Sequence, residues 1–180
     1  MESLFVNTTE YKLIKLLGHG KGGYSYLAQK TDSEDLLVLK QIHHEPCSYY
    51  SFGNKIEAEE RDYYRLKQSG IRIPLMLDID RNNERIVKEY IEGDTIFEII
   101  KNGQSADPYL DQVLEMSARA RSAGINIDYF PTNFVVSGGL LYYIDYECNG
   151  YMEEWSFERW GKKYWSNTEE FRECLKSAGS

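Results

Sequence analysis

Apolar positions recur along this chain with two different periods. Residues 11–17 alternate between apolar and polar. The alternation resumes at Tyr24-Ser25-Tyr26-Leu27-Ala28 after a Gly18-His19-Gly20-Lys21-Gly22-Gly23 run. A period of two marks a strand with one buried face, so this region reads as a β-hairpin with a glycine tip. Leu36-Leu37-Val38-Leu39-Lys40-Gln41-Ile42 is a nearly continuous apolar run and reads as a buried strand carrying one lysine. Residues 43–54 read as a loop. From residue 55 to 68 the spacing changes to threes and fours. Ile56, Glu59, Tyr63 and Leu66 then share one face of a helix that stops at Ser69-Gly70. Residues 73–80 and 84–91 read as two strands around an Arg81-Asn82-Asn83 turn. A helix over 95–101 follows the Gly93 break, with Asp94 as its cap.

Asp107-Pro108 predicts another helix start. Leu110, Val113, Leu114, Ser117 and Ala120 trace its apolar face, and Gly124 ends it. Next comes a loop, Asp128 to Asn133, and then two short apolar runs around a Ser137-Gly138-Gly139 turn. The last stretch carries Trp155, Phe157, Trp160, Tyr164 and Trp165 in a helical segment, then a helix over 168–176. Those rings read as core packing of a small lobe. Strands with one helix, followed by mostly helical chain, predict an α+β fold.

Composition narrows the function. The 180 residues and 42% hydrophobic content suffice for one domain, or for two small lobes sharing a cleft. With 21 basic and 29 acidic residues the net charge is -8, which argues against direct nucleic-acid binding. Cys47, Cys148 and Cys174 show no paired spacing, as expected of free thiols in a reducing compartment. His19, His43 and His44 make no recognisable metal pattern with them. The N-terminus lacks the basic and apolar regions of a signal peptide, and no apolar run is long enough to cross a bilayer. A cytoplasmic protein without a membrane partner is expected.

The candidate chemistry is phosphate and metal chemistry. A glycine tip lets backbone N–H groups approach an anion closely, although an ordinary hairpin looks the same. A lysine inside an apolar strand needs either an anionic partner or a route to water. Glu59, among apolar neighbours on its helix, is the matching carboxylate, with Glu60 the alternative and Glu57 left to solvent. Asp128, Asn133 and Asp145 place hard oxygens at strand ends, as Mg²⁺ on a polyphosphate requires. A carboxylate beside them can accept a hydroxyl proton. Capping of a plain hairpin is the other reading of the same residues.

These features stand in one order: glycine hairpin, strand lysine, helix glutamate, Asp/Asn loop, Asp hairpin. In that order the chain resembles the protein-kinase-like superfamily from about Tyr11 onward. The resemblance implies a bilobal fold, with residues 1–91 as the N-terminal lobe and 92–180 as a truncated C-terminal lobe. It implies ATP and Mg²⁺ as cofactors. Gly18, Gly20, Gly22 and Gly23 would cover the nucleotide, and Lys40, held by Glu59, would contact its phosphates. The backbone of Glu89 and Ile91 would bond the base, with Lys88 in the gatekeeper slot. Asp128 would be the base or hydroxyl-orienting group, and Asn133 and Asp145 the Mg²⁺ ligands.

Three departures bear on the acceptor. Asn126 replaces the usual histidine, Phe130 replaces the lysine of protein-directed members, and Asp145-Tyr146-Glu147 replaces Asp-Phe-Gly. The last is similar to choline kinases and aminoglycoside phosphotransferases. The short C-terminal region, with Trp155-Ser156-Phe157-Glu158-Arg159-Trp160, resembles minimal atypical kinases such as the small kinase of the KEOPS complex, and more distantly RIO kinases. The resemblance implies a phosphotransferase acting on a hydroxyl acceptor. The alternatives are a nucleotide-binding pseudokinase, or a kinase-shaped ATPase subunit, acting through a protein partner.

Overall fold

The structure is a computed structural model that describes residues 2–46 and 53–178. Cys47 and part of the loop expected over 43–54 lie outside the described residues. The chain forms two compact units: Met1–Arg61 with Pro74–Tyr90, and Asp62–Ile73 with Ile91–Ser180.

The first unit is built on a six-stranded antiparallel sheet. Its strands are β1 (Ser3–Val6), β2 (Thr9–His19), β3 (Gly23–Lys30), β4 (Leu36–Ile42), β5 (Met76–Asp80) and β6 (Arg85–Glu89), in the order β1-β2-β3-β4-β6-β5. Val6, Tyr11, Leu13, Ala28, Leu39 and Val87 are buried together as its core. β2 slips register between Leu13 and Lys15 and again between Leu16 and Gly18. Such bulges disturb strict alternation, and Ile14, Leu16 and Leu17 are exposed. The glycine tip is narrower than the glycine run in the sequence. Gly18 lies inside β2 opposite Ser25, and the turn closes through Gly20 N–H donating to the Gly23 carbonyl at 3.0 Å.

β5 begins at Met76 and β6 ends at Glu89, so both strands are shorter than their apolar patterns. Asp80 fixes the turn between them. Its Oδ1 accepts the Asn83 N–H at 2.9 Å, and its Oδ2 accepts both the Asn83 side-chain amide and the Asn7 N–H, each at 2.8 Å. One carboxylate thereby anchors the β5–β6 turn and the β1–β2 turn. These bonds, led by the Asn83 side chain, hold the Asp80 carboxyl down to about 2.

Helix α1 (Lys55–Ser69) buries Ile56, Tyr63 and Leu66, the face expected from its spacing, and leaves Glu57 exposed.

The second unit holds the larger core, in which Leu66, Ile100, Val113, Phe134, Leu141, Trp165 and Phe171 are buried. A two-residue strand, β7 (Asp94–Thr95), leads into α2 (Ile96–Lys101). The cap of α2 is Thr95, not Asp94: the Thr95 hydroxyl and the Glu98 carboxylate form a reciprocal capping box, and only Thr95 stands three residues before Glu98, as that box requires. Asp107-Pro108 opens a 3₁₀ turn, and α3 (Leu110–Ser122) starts one turn later than that signal. Its buried face is Val113, Met116, Ser117 and Ala120, whereas Leu114 is exposed.

Strand β8 (Ile125–Ile127) follows, then β9 (Phe134–Ser137) and β10 (Leu140–Tyr143). The β9–β10 turn takes Gly138 and Gly139 at φ 56° and 77°, the left-handed pair of a tight hairpin. A short β11 (Cys148–Gly150), which no sequence pattern announces, pairs with β8. The aromatic segment is a series of 3₁₀ turns and one π-helical turn (Phe157–Gly161), then α4 (Glu169–Ala178). Phe157 and Trp165 are buried and Trp160 and Tyr164 pack beside them, but Trp155 is exposed. No described helix is long and apolar enough to cross a membrane.

Candidate active site

Each unit carries its own set of predicted site residues. In the first, Lys40 lies at the middle of β4, opposite Ser25 on one side and Ile86 on the other. Its ammonium pairs with Glu59 of α1, and both side chains are largely buried, at 12% and 15% exposure. The partner is Glu59 because Glu60, one residue on, bonds the Arg81 guanidinium through both oxygens at 2.6 Å.

The four glycines do not share one environment. A Cβ on Gly22 would sit 3.3 Å from both Lys40 Nζ and Glu59 Oε1. A Cβ on Gly23 would press into the Gln41 carbonyl at 2.4 Å, a packing constraint with β4. Gly18 and Gly20 have no atom that close to an added Cβ. Gly22 is therefore the glycine that keeps space open above the ion pair. Lys55, at the start of α1, fastens the same turn by donating to the carbonyls of Lys21, at 3.3 Å, and His43.

Glu89, whose backbone was expected to bond the base, is tied to Leu75. Its N–H donates to the Leu75 carbonyl at 2.9 Å, and its carboxylate accepts the Leu75 N–H at 3.2 Å. Ile91, the other expected hinge contact, is buried in the second unit.

In the second unit, β8 delivers Asp128 to an exposed loop. Asp128 Oδ1 accepts the Phe130 N–H at 3.0 Å. Asn133 closes a 3₁₀ turn (Pro131–Asn133) just before β9. Its amide nitrogen donates to the Asp128 carbonyl at 3.3 Å, which turns the amide oxygen away from that bond. Asp145 follows β10 and accepts the Tyr146 N–H at 2.8 Å. Asn133 and Asp145 are also tied through the backbone, because the Ile144 N–H donates to the Asn133 carbonyl at 2.9 Å. An amide oxygen and a carboxylate on two linked loops are the hard donors that suit Mg²⁺.

The buried support under these loops was not visible in the sequence. Tyr143, with no exposure, accepts the Asp128 N–H at 3.3 Å and donates to the Glu147 carbonyl at 2.7 Å. Burial first, and then the Asp145 charge, push its hydroxyl well above the ordinary tyrosine range, so it stays a neutral donor. A tyrosine in a buried strand must find a hydroxyl partner, and that was the available signal. Trp165 donates its indole N–H to the Tyr129 carbonyl at 2.7 Å. Phe130, where a lysine would be usual, packs between Phe97 and Tyr164 at ring separations of 6.1 and 5.4 Å. Asn126, where a histidine would be usual, is buried and accepts the Met152 N–H. Asp62 is a further buried carboxylate that the helical pattern did not single out. It accepts the Cys148 N–H at 3.4 Å and so braces the segment after Asp145.

Comparison with known proteins gives the same kind of answer as the residues. The chain is similar to the serine/threonine-protein kinase ppk13 of Schizosaccharomyces pombe, with 38% identity over 60 residues, 33% of this chain and 17% of that protein. It is also similar to the KEOPS complex subunit Bud32 of Pyrococcus abyssi, with 29% identity over 91 residues, 49% of this chain and 41% of that protein. It thus spans less than half the length of these curated relatives. No family model matches it. Both likenesses support resemblance to the protein-kinase-like superfamily, and the mixed α+β architecture agrees with it.

Proposed function

We propose that this kinase-like chain is an ATP-dependent phosphotransferase of atypical serine/threonine type, moving the γ-phosphate to a hydroxyl acceptor. The observation that carries the reading is the Lys40–Glu59 pair beneath Gly22, retained together with Asp128, Asn133 and Asp145 on linked loops. Lys40 would neutralise the α- and β-phosphates while Glu59 holds its ammonium in place. Asn133 and Asp145 would hold Mg²⁺, which supplies charge neutralisation on the polyphosphate. Asp128 would orient the acceptor hydroxyl and take its proton. Positioning and electrostatic stabilisation then account for the acceleration, as phosphoryl transfer requires.

The test is turnover of γ-labelled ATP with Mg²⁺, following where the label goes. Asp128→Asn and Asp145→Asn should each lower turnover by about a hundredfold or more. Undiminished transfer in both variants would overturn the reading.

A second reading is a nucleotide-binding pseudokinase or ATPase subunit acting through a protein partner. The commitment of Asn126 to Met152 and of Phe130 to an aromatic cluster favours it, since both side chains are engaged in packing within the unit. Similarity to a subunit of a named complex points the same way. This version predicts thermal stabilisation by nucleotide without transfer to any acceptor. Saturation at about 100 times Kd would add about 2.7 kcal/mol.

A further inference from the structure

Three side chains with metal-ligand chemistry meet beside the glycine turn. His19 ends β2, and its cross-strand partner in β3 is Tyr24. His43 and Glu45 lie just beyond β4. His19 Nε2 is 3.2 Å from Glu45 Oε2, and His43 Nε2 is 3.9 Å from the same oxygen. One ligand atom from each of the three lies within 4.8 Å of the others. A tetrahedral ion with ligands at about 2.0–2.2 Å spaces its donors by about 3.4 Å, which lies between the 3.2 and 3.9 Å found here.

The surroundings are organised for a ligand set. Tyr24 stacks on the His19 ring at 4.2 Å and 7°, and its hydroxyl donates to Oε1 of Glu45, the oxygen not facing the histidines. Outer contacts of this kind fix the orientation of metal ligands. His43 is mostly buried, while His19 and Glu45 are about half exposed, at 46% and 51%, so an ion could enter from solvent. Two imidazoles and one carboxylate, with a position left for water, match the preference of zinc-class ions rather than the all-oxygen preference of Mg²⁺.

We propose that His19, His43 and Glu45 form a binding site for a divalent transition-metal ion of the zinc class. At present His43 Nε2–H donates to the Gly20 carbonyl at 2.9 Å and Nδ1 accepts the Glu45 N–H at 3.2 Å. Coordination through Nε2 moves the ring proton to Nδ1 and replaces both bonds. Occupancy therefore releases the Gly20 carbonyl from His43 and ties the end of β2 to the segment after β4. The site stands independently of phosphoryl transfer.

The experiment uses the full chain, stripped with chelator, and titrates it with Zn²⁺ by calorimetry and with Co²⁺ by visible absorption. The expected result is a single equivalent of each, with the intense bands of four- or five-coordinate Co²⁺. His19→Ala, His43→Ala and Glu45→Gln should each weaken binding at least about tenfold. His44→Ala, whose histidine pairs instead with Glu84, should leave it unchanged. Tyr24→Phe keeps the stacked ring and removes only the hydroxyl, so it checks the site without altering a ligand, and it should weaken binding measurably. Absence of binding by the parent chain, full-strength binding by the His19 and His43 variants, or loss of the equivalent on replacing Cys148 and Cys174 would overturn the proposal.

Discussion

The indole N–H of Trp165 reaches the carbonyl of Tyr129 at 2.7 Å, so a ring from the closing segment holds the residue next to Asp128. Trp165→Phe removes that donor and leaves the buried carbonyl unsatisfied. The expected loss is about 1–3 kcal/mol of stability, read from urea unfolding. Because Tyr129 flanks Asp128, turnover should fall more than nucleotide affinity does. Equal falls would mean that Trp165 acts only through packing.

Lys40 and Glu59 are predicted to fail differently. Lys40→Met keeps an apolar stem in β4 and removes the cation, so nucleotide-dependent thermal stabilisation should largely disappear. Glu59→Gln removes the carboxylate that pairs with the ammonium, and turnover should fall by at least about tenfold with the fold retained. Differential scanning fluorimetry with and without Mg²⁺–ATP, beside labelled-phosphate turnover, distinguishes the two.

A methyl group at position 22 would stand 3.3 Å from Lys40 Nζ and Glu59 Oε1, whereas one at position 20 meets nothing. Gly22→Ala should therefore weaken nucleotide binding several-fold, and Gly20→Ala should barely change it. Matched titrations of the two variants check this, and equal effects would remove the special place given to Gly22.

Asp80 gives a stability prediction with a defined sign. Its carboxyl is held at about 2 in the folded chain, against an ordinary value of 3.8. A depressed value contributes stability that is present above pH 3.8 and is lost as pH falls through about 2. Asp80→Asn should lower stability at neutral pH by about 1–3 kcal/mol, because one acceptor oxygen cannot serve both turns. Its unfolding curve should also be flatter than the parent's between those two pH values. An unchanged acid profile would show that other groups dominate.

Legibility in the sequence followed the range of the interaction. β4 and α1 were readable because a seven-residue apolar run and a three-and-four spacing each express a local period. The Lys40–Glu59 pairing was readable because a buried charge requires a counter-charge. The Thr95 cap was missed because Asp94 and Thr95 are equally good caps in isolation, and only the capping box with Glu98 decides between them. β11 is three residues long, too short for any period, and exists through its pairing with β8. The His19–Glu45 contact spans 26 residues of sequence, so no spacing rule would connect the two.

The Tyr143 hydroxyl has a consequence for motion. It serves both the amide of Asp128 and the carbonyl of Glu147, so the two loops share one anchor, and a shift of that hydroxyl disturbs both. Asp128 and the segment after Asp145 should therefore loosen as a unit. Hydrogen exchange at the Asp128 amide would then report any disturbance introduced two residues beyond Asp145.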